Sequence, residues 1–301
     1  FFHLMYVMFD SGVSVISALQ ILARKIRHVR FRNILRTMFL DINAGKSLSE
    51  AMMRFPSVFE EGEVEVIRSG EVSGTLDKMF QRLSDQANES YALRLRIRSA
   101  VTYPIVVIFV LFFAISVVMI FVVPKIVAFF VNYDAPLPLL TRILIAISGF
   151  FSSYWWLLTL LILFFLMVLR WYISTEDGRF HWDYFMLKLP MIGNFQRDLI
   201  LGRLLRLLSL LITSGISIIA TTEILMRSSG NDVYRRKFAR VLSDIRQGKR
   251  FSASLSESSF LFPDMVAVVL DVGERAGSLD QSAEKLSRHY DQEVVHSLQE
   301  M

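Results

Sequence analysis

Cysteine is absent from the 301 residues of this chain, and its absence excludes several classes of protein at once. A chain without thiols has no disulfide scaffold, no thiolate metal site, no cysteine nucleophile and no cysteine-held iron–sulfur cluster. The five histidines form neither a ligand-spaced pair nor a nucleophile–base motif. We therefore expect no metal, no cofactor and no catalytic residue of these kinds.

Charge is scarce as well. Only 20% of the residues are charged while 53% are hydrophobic, and the mean hydropathy is +0.44, which is too apolar for two ordinary soluble domains. The 33 basic residues exceed the 28 acidic ones by a small and scattered margin, so a nucleic-acid partner is not expected. A lipid bilayer fits this composition better.

Two long stretches contain no charge at all: 26 residues between Arg98 and Lys125, and 27 residues between Arg142 and Arg170. Because a membrane-spanning helix needs about 20 apolar residues, each stretch can supply one span. The aromatic cluster that begins at Tyr154 prefers the membrane interface, so the second span is trimmed to start there. The predicted spans are 104–123 and 154–172, with an outer loop and an interfacial helix at 124–153.

The basic residues lie unevenly about these spans: 14 precede the first span, two lie between the spans, and 17 follow from Arg170 onward. By the positive-inside rule, both large flanking segments face the cytoplasm and only the tip of the hairpin faces outward. The competing interpretation is two buried core helices of a soluble protein. It is disfavoured because such helices seldom reach this length without a charge.

The chain contains an internal repeat with an offset of 203 residues. Ser11-Gly12 recurs as Ser214-Gly215, and the aspartate–glycine–lysine pattern of residues 41–46 recurs at 244–249. Separated matches in one ungapped register indicate a duplication. The most complete match is Gly-Glu-x-x-Gly-x-Leu-Asp, formed by Gly70, Glu71, Gly74, Leu76 and Asp77 in the first copy and by Gly273, Glu274, Gly277, Leu279 and Asp280 in the second.

Each copy has apolar residues at helical spacing, such as Val15, Ala18 and Leu22, and lacks the alternating pattern of strands. We predict an all-α fold in which two tandem cytoplasmic bundles, of about six helices each, are joined by a transmembrane helical hairpin. The predicted domains are the first bundle at 1–98, the hairpin at 99–172 and the second bundle at 173–301.

The duplication also predicts what lies beyond the given sequence. Met301 corresponds to position 98, where the first copy enters its span, so we expect a third transmembrane helix to follow. The chain begins with Phe1 rather than Met, so we expect the natural N-terminus to lie upstream. The apolar start lacks a basic segment and a small-residue cleavage site, and no signal peptide is predicted.

Gly45-Lys46-Ser47 looks like the end of a phosphate-binding loop. The leading glycine of such a loop is missing, because its position is occupied by Leu40, and the second copy has Arg250 in place of the serine. We predict instead that Gly45 ends one helix and that Ser47 caps the next. The predicted spans also contain no carboxylate, which argues against an aspartyl membrane peptidase and a proton-coupled carrier.

Charged stretches are the remaining candidate sites. Two stretches are basic, and each is either a solvated helix face or a contact for anionic lipid or a charged partner. A third group of residues forms the joint at which the last helix of the first bundle continues into the first span. The contact candidates are Arg24, Lys25, Arg27 and Arg30 in the first copy and Arg235, Arg236 and Lys237 in the second, and the membrane joint is Arg94, Arg96, Arg98, Tyr103 and Pro104.

Within the repeated motif a glutamate follows a glycine in both copies, as Glu71 in the first and as Glu274 in the second. Its carboxylate either caps the start of a helix or, alternatively, helps to bind a cation or a partner between the copies. Gly70 and Gly74 are spaced by four residues, which removes side chains from one helix face and lets another backbone approach.

Several motifs together resemble the type II secretion F protein family, which includes the PilC-like platform proteins of type IV pili. They are the doubled Gly-Glu-x-x-Gly-x-Leu-Asp motif, Gly-Lys-Ser-Leu-Ser-Glu at 45–50, Phe-Pro-x-x-Phe at 55–59, Tyr103-Pro104, Leu137-Pro138-x-x-Thr141 and Leu-Lys-Leu-Pro-x-x-Gly at 187–193. The resemblance covers essentially the whole chain. Arg250 departs from the pattern, and both ends are shorter than the three-span plan of the family.

The resemblance implies a non-enzymatic, multi-pass platform in the bacterial inner membrane, at the base of a type IV pilus or type II secretion machine. The implied partners are a cytoplasmic hexameric assembly ATPase, pilin or pseudopilin subunits, other inner-membrane assembly proteins and further copies of the chain. Two other interpretations remain open from the residues alone: a membrane transporter or channel component with regulatory cytoplasmic domains, and a membrane-bound signalling adaptor.

Overall fold

The computed structural model describes residues 1–123, 125, 157, 160–161, 163–190 and 192–300. Within these ranges the regular elements are all helices and no strand occurs, which confirms the predicted all-α class. The chain divides into two compact units, one formed by Phe1–Ile97 together with Asp183–Met301 and the other by Arg98–Trp182. Both copies of the repeat therefore belong mainly to the first unit.

The first copy contains six helices, as predicted. They are α1 Phe2–Asp10, α2 Val15–Lys25, α3 Val29–Asn43, α4 Leu48–Met53, α5 Glu61–Ser73 and α6 Leu76–Val117. After α7, Glu176–Lys188, the second copy also has six. They are α8 Ile192–Thr213, α9 Ile218–Ser228, α10 Asp232–Arg246, α11 Phe251–Ser256, α12 Asp264–Ala276 and α13 Leu279–Glu300.

The helix ends reproduce the 203-residue offset. Helices α9 to α12 begin and end 203 residues after α2 to α5, and α13 begins 203 residues after α6. Three glycine pairs close equivalent turns with positive φ. The φ angles are 80° for both Gly12 and Gly215, 90° and 86° for Gly45 and Gly248, and 70° and 69° for Gly74 and Gly277. Since residues with a Cβ rarely adopt this conformation, glycine at these positions fixes the ends of the helices in both copies.

Each copy has its own apolar core. In the first copy the buried side chains include Leu19 and Met38, and an edge-to-face contact between Phe9 and Phe80, with ring centroids 5.8 Å apart, packs α1 against α6. In the second copy the most extensive helix pair is α8 with α13, and Tyr234 lies fully buried. The two cores explain why the apolar periodicity repeats with the motifs.

The second unit carries the membrane-type segment. Helix α6 is the one helix in the described part of the chain that is long and apolar enough to cross a membrane. Its most apolar 18 residues have a mean hydropathy of 2.5, and none of these residues is buried. The helix is followed by a π-helix at Val118–Val122, and a shorter apolar helix covers Leu163–Ser174. The predicted outer segment 124–153 lies outside the described residues except at position 125, as does part of the second span at 154–172, so the hairpin stays a prediction.

Candidate functional site

The repeated motif places a carboxylate at the start of a neighbouring helix. In the first copy, Glu71 on α5 accepts hydrogen bonds from the backbone N–H of Leu48 at 2.5 Å and of Ser49 at 3.2 Å. The Ser49 hydroxyl donates to the same carboxylate at 2.5 Å. Because the first N–H groups of a helix have no partner within the helix, this carboxylate satisfies two of them and complements the helix dipole at the N-terminus of α4.

The second copy repeats this arrangement atom for atom. Glu274 on α12 accepts from the backbone N–H groups of Phe251 and Ser252, both at 2.9 Å, and from the Ser252 hydroxyl at 2.5 Å. Of the two roles that the sequence left open for this glutamate, the geometry matches the helix cap. Both oxygens are already engaged, and the described residues contain no cluster of three or more acidic or histidine side chains that could hold a metal ion.

The glycine before each glutamate allows close packing of the next helix. A Cβ on Gly70 would lie 2.6 Å from Cγ of Met79, and one on Gly273 would collide with the hydroxyl of Ser282. Each glycine therefore lets α5 or α12 lie directly against the helix that follows it.

The last residues of the motif lie at the start of that following helix. Asp77 and Asp280 occupy the first turns of α6 and α13, where a negative charge is favoured by the helix dipole. Leu279 is buried and Leu76 is half-buried. The whole motif thus joins three consecutive helices.

The Gly-Lys pair is part of a helix end. Lys46 donates to the Asp41 carboxylate at 2.9 Å, and Arg54 donates to its other oxygen; the bond from Lys46 is the main cause that holds the pKa of Asp41 below its usual range. Ser47 and Glu50 form a capping box at the start of α4. A helix rather than a strand precedes the glycine, so the geometry matches the predicted pair of caps and not a phosphate loop.

The second copy uses the same aspartate with one different partner. Asp244 accepts from the Ser254 hydroxyl at 2.5 Å and from Lys249 at 3.1 Å, and these hydrogen bonds, led by that of Ser254, lower its pKa. The duplicated aspartate therefore ties the end of one helix to the next in both copies.

The two basic stretches differ in whether their side chains form salt bridges within the chain. All four candidates of the first copy are exposed, and none of them takes part in a salt bridge within the described part of the chain. In the second copy, Arg235 and Arg236 both pair with Asp232, at 2.5 Å and 3.2 Å. The four first-copy side chains are Arg24, Lys25, Arg27 and Arg30.

Lys237 does not belong to an accessible surface. It is buried, and its ammonium donates to the carbonyl of Ser254 at 2.7 Å. Burial lowers its pKa, although the nearby Glu257 partly offsets this. The corresponding residue of the first copy is the buried Ile34, which is the signal in the sequence that marks this position as part of the core face.

The residues of the predicted membrane joint all lie on α6. Arg94, Arg96, Arg98 and Tyr103 are exposed, and the helix continues through Pro104. Proline has no N–H, so it removes one hydrogen bond from the helix at this position. Pro104 therefore lies inside a continuous helix and not in the first turn of a separate one.

The way in which the two copies contact each other was not predicted from the sequence. Helix α5 of the first copy packs against α8 and α9 of the second. Gly62 faces Leu207 so closely that a Cβ on the glycine would lie 2.5 Å from Cδ1 of the leucine. The hydroxyl of Ser69 donates to the carbonyl of Ser214 at 2.6 Å.

Charged side chains complete this contact between the copies. Arg227 pairs with Glu61 at 2.8 Å, and the guanidinium of Arg82 donates to the carbonyl of Thr213 at 2.6 Å. A cleft of about 470 Å³ opens beside the Glu61–Arg227 pair. The lining of this cleft combines charged and apolar residues, including Met53, Phe59, Glu65 and Arg203.

Two duplicated helical bundles in one unit, together with an exposed apolar helix of membrane-spanning length, define an all-α protein built from a repeated bundle and a candidate membrane helix. The family model for type II secretion system protein F matches residues 1–124 and 204–301. Each matched segment contains most of one copy. The chain therefore belongs to the type II secretion system protein F family, which confirms the resemblance.

Two relatives illustrate the two branches of this family. The chain is 33% identical over 290 residues to a type IV pilus assembly protein PilC of Thermus thermophilus, covering 95% of this chain and 70% of the relative. It is 32% identical over 283 residues to a type II secretion system protein F of Aeromonas hydrophila, covering 94% and 73%. These names associate the two relatives with type IV pilus assembly and with the type II secretion system.

Proposed function

We propose that this chain is a multi-pass platform of the bacterial inner membrane that couples a cytoplasmic hexameric ATPase to the extraction and polymerisation of pilin or pseudopilin subunits. Membership of the protein F family carries the proposal. The bilayer and other inner-membrane assembly proteins are its further partners, and further copies of the chain complete the platform.

The internal contacts support a mechanical role. Three links between the copies, made by Glu61, Ser69 and Arg82 with the second copy, join the two bundles into one unit. Helix α6 starts inside this unit and continues as the apolar helix. A force applied to either bundle thus has a continuous helix along which it can reach the membrane segment.

An Arg96→Pro variant tests this coupling. Proline in a helix interior costs about 3 kcal/mol and kinks the helix, so we expect piliation or secretion to be lost while the protein still inserts into membranes. Arg96→Ala removes the same side chain without breaking the helix and is the matched control. Normal fibre assembly by Arg96→Pro would contradict the mechanical role.

The free basic stretch is the proposed contact for the ATPase. Arg27 and Arg30 are exposed and form no salt bridge within the described residues, whereas Arg235 and Arg236 are held by Asp232. We expect Arg27→Glu with Arg30→Glu to reduce recovery of the ATPase in a detergent pull-down, and the same reversal at Arg235 and Arg236 to have less effect. Equal recovery with all variants would mean that the stretch faces lipid or solvent.

The proposed topology places both bundles in the cytoplasm. Because these 301 residues contain no cysteine, a single cysteine introduced among them reports accessibility without a competing thiol in this part of the chain. We expect Val72→Cys to be labelled by a membrane-impermeant maleimide only after the cells are opened, and Asn132→Cys, in the predicted outer segment, to be labelled in intact spheroplasts. The opposite pattern would overturn the orientation.

A transporter or channel component is the less favoured function. In the described part of the predicted first span, the one hydroxyl is that of Ser116, and it donates to the carbonyl of Phe112 at 2.8 Å. A hydroxyl engaged within its own helix offers little to a passing solute.

A further inference from the structure

One helix face is covered in the first copy and exposed in the second. On α5, Gly62 and Ser69 contact the second copy. The equivalent face of α12 carries Met265, Val268 and Val272, which are 44%, 61% and 62% exposed. Their spacing of three and four residues places them on one side of the helix. The second copy thus presents an apolar version of a face that is already an interface in the first.

The surface that receives α5 is duplicated in the same way. In the second copy it includes Leu207 on α8 and Arg227 on α9. The equivalent residues of the first copy are Leu4 on α1 and Arg24 on α2, and both are exposed, as is the neighbouring Val7. Each half of the internal contact therefore has an unused counterpart on the opposite copy.

The charges on the two unused surfaces are complementary. Within the chain, Glu61 of α5 pairs with Arg227 of α9 at 2.8 Å. The equivalent positions hold Asp264 and Arg24, so the acid and the base are both retained. Neither of these two forms a salt bridge inside the part of the chain that the structure describes, which leaves both available to an outside partner.

A second polar contact has a counterpart of the same kind. Arg82 donates to the carbonyl of Thr213 between the copies. The equivalent residues are Lys285 and Asp10, which are both exposed. The two unused surfaces thus again carry a cation on one and a hydrogen-bond acceptor on the other, and the side chain of Asp10 adds a negative charge to the acceptor.

The differences between the copies fit a contact made by side chains rather than by backbones. Gly62 is replaced by Met265, whose longer side chain would hold α12 farther from a facing leucine than α5 lies from Leu207. Val272 replaces Ser69, so one hydrogen bond gives way to apolar contact. Methionine and valine then fill the wider gap, as flexible and branched apolar side chains do at protein interfaces.

The geometry points to a second copy of this chain as the occupant: α12 of one protomer docks on α1 and α2 of the next, as α5 docks on α8 and α9 inside the chain. This contact is heterologous, because two different surfaces meet, and it can continue from protomer to protomer until the assembly closes into a ring. The interface specifies how the further copies in the proposed platform contact one another and rests on that part of the proposed function; the cross-linking yield tests it separately from fibre assembly.

Cross-linking between single cysteines introduced into these 301 residues, which contain none, tests this arrangement. Two full-length, differently tagged chains, one with Leu4→Cys and one with Met265→Cys, are co-expressed and treated in their native membranes with a short bismaleimide. We expect a mixed covalent dimer, in several-fold higher yield than from Met265→Cys with Val72→Cys, because Val72 lies outside the proposed contact. A double variant with Gly62→Cys and Leu207→Cys should cross-link within one chain and shows that the reagent reaches such contacts.

Charge exchange separates this interface from accidental proximity. In the Leu4→Cys and Met265→Cys pair, Arg24→Glu in the first chain or Asp264→Lys in the second should each weaken association by about two- to fivefold, the range for an exposed ion pair. Both changes together should restore the mixed dimer.

Three results would overturn the inference. One is a mixed dimer no more abundant than the Val72 control. Another is efficient cross-linking of Met265→Cys to itself, which would indicate a symmetric contact. The third is protection of Met265→Cys from labelling only when another membrane or cytoplasmic component is present, which would assign the face to a partner of a different class.

Discussion

A Glu274→Gln variant removes the charge that caps α11, and the structure sets the expected size of the effect. The carboxylate accepts three hydrogen bonds, two from the backbone N–H groups of Phe251 and Ser252 and one from the Ser252 hydroxyl. Glutamine keeps one acceptor oxygen but turns the other into a donor that faces donors. Hydrogen bonds to a charged group contribute about 1.5–3 kcal/mol and neutral ones about 0.5–1.5 kcal/mol, so a net loss of about 2–3 kcal/mol is expected.

Hydrogen exchange in the detergent-solubilised chain measures this loss where it occurs. A destabilisation of about 2–3 kcal/mol corresponds to roughly 30- to 150-fold faster exchange of the α11 amides through local opening. Ser252→Ala removes one of the three bonds and should give a smaller increase. The duplication supplies an independent repetition, because Glu71→Gln should affect α4 in the same way.

Amides in the middle of α13 serve as the internal reference, since they lie on a different helix from the one that is capped. Unchanged protection of α11 in Glu274→Gln would refute the view that the motif is a helix clamp. Equal acceleration throughout the bundle would instead indicate global destabilisation, and the local reasoning would fail.

Three further variants test packing, pH dependence and a buried hydrogen bond. Gly62→Leu should lower the melting temperature, with a loss of about 1–3 kcal/mol from overpacking against Leu207, and an unchanged melting temperature would exclude the close contact. Burial raises the pKa of Asp198 to about 6, so the folded state holds this proton more tightly than the unfolded chain and stability falls as the pH rises from about 4 to 6; Asp198→Asn should reduce the difference in melting temperature between pH 4 and pH 7. Tyr234→Phe removes the hydroxyl that donates to the carbonyl of Leu261 at 3.1 Å, and denaturation should show a loss of about 1 kcal/mol.

The duplication and the helix ends could be predicted because their causes are local. A glycine with positive φ, as at Gly45 and Gly248, ends a helix whatever surrounds it. A serine followed three residues later by glutamate, as at Ser47, begins the next one. Such signals are carried by a few neighbouring residues, so the same signals at an offset of 203 residues gave the same helices.

Whether an individual charged side chain is buried or exposed could not be predicted in this way. The basic run at 235–237 reads as one surface when charges are counted along the chain. On α10, however, Lys237 lies on the same face as the buried Tyr234 and Val241, and its ammonium donates a hydrogen bond to the carbonyl of Ser254. Burial depends on the helix face and on the neighbouring helix, and only the alignment with Ile34 carried that information in the sequence.

The relation between the copies was hidden for a further reason. Two equivalent bundles could pair symmetrically, and both α5 and α12 would then be covered in one chain. Here α5 is covered, while Met265, Val268 and Val272 on α12 remain exposed, so the pairing is asymmetric and each copy keeps one surface that the other uses. The covered face has Gly62 and Ser69, which permit a close and fixed contact, whereas the exposed face has the larger apolar side chains that suit association between separate chains. At these positions the copies differ where their environments differ, which is the pattern expected if the internal interface and the proposed external one derive from the same ancestral surface.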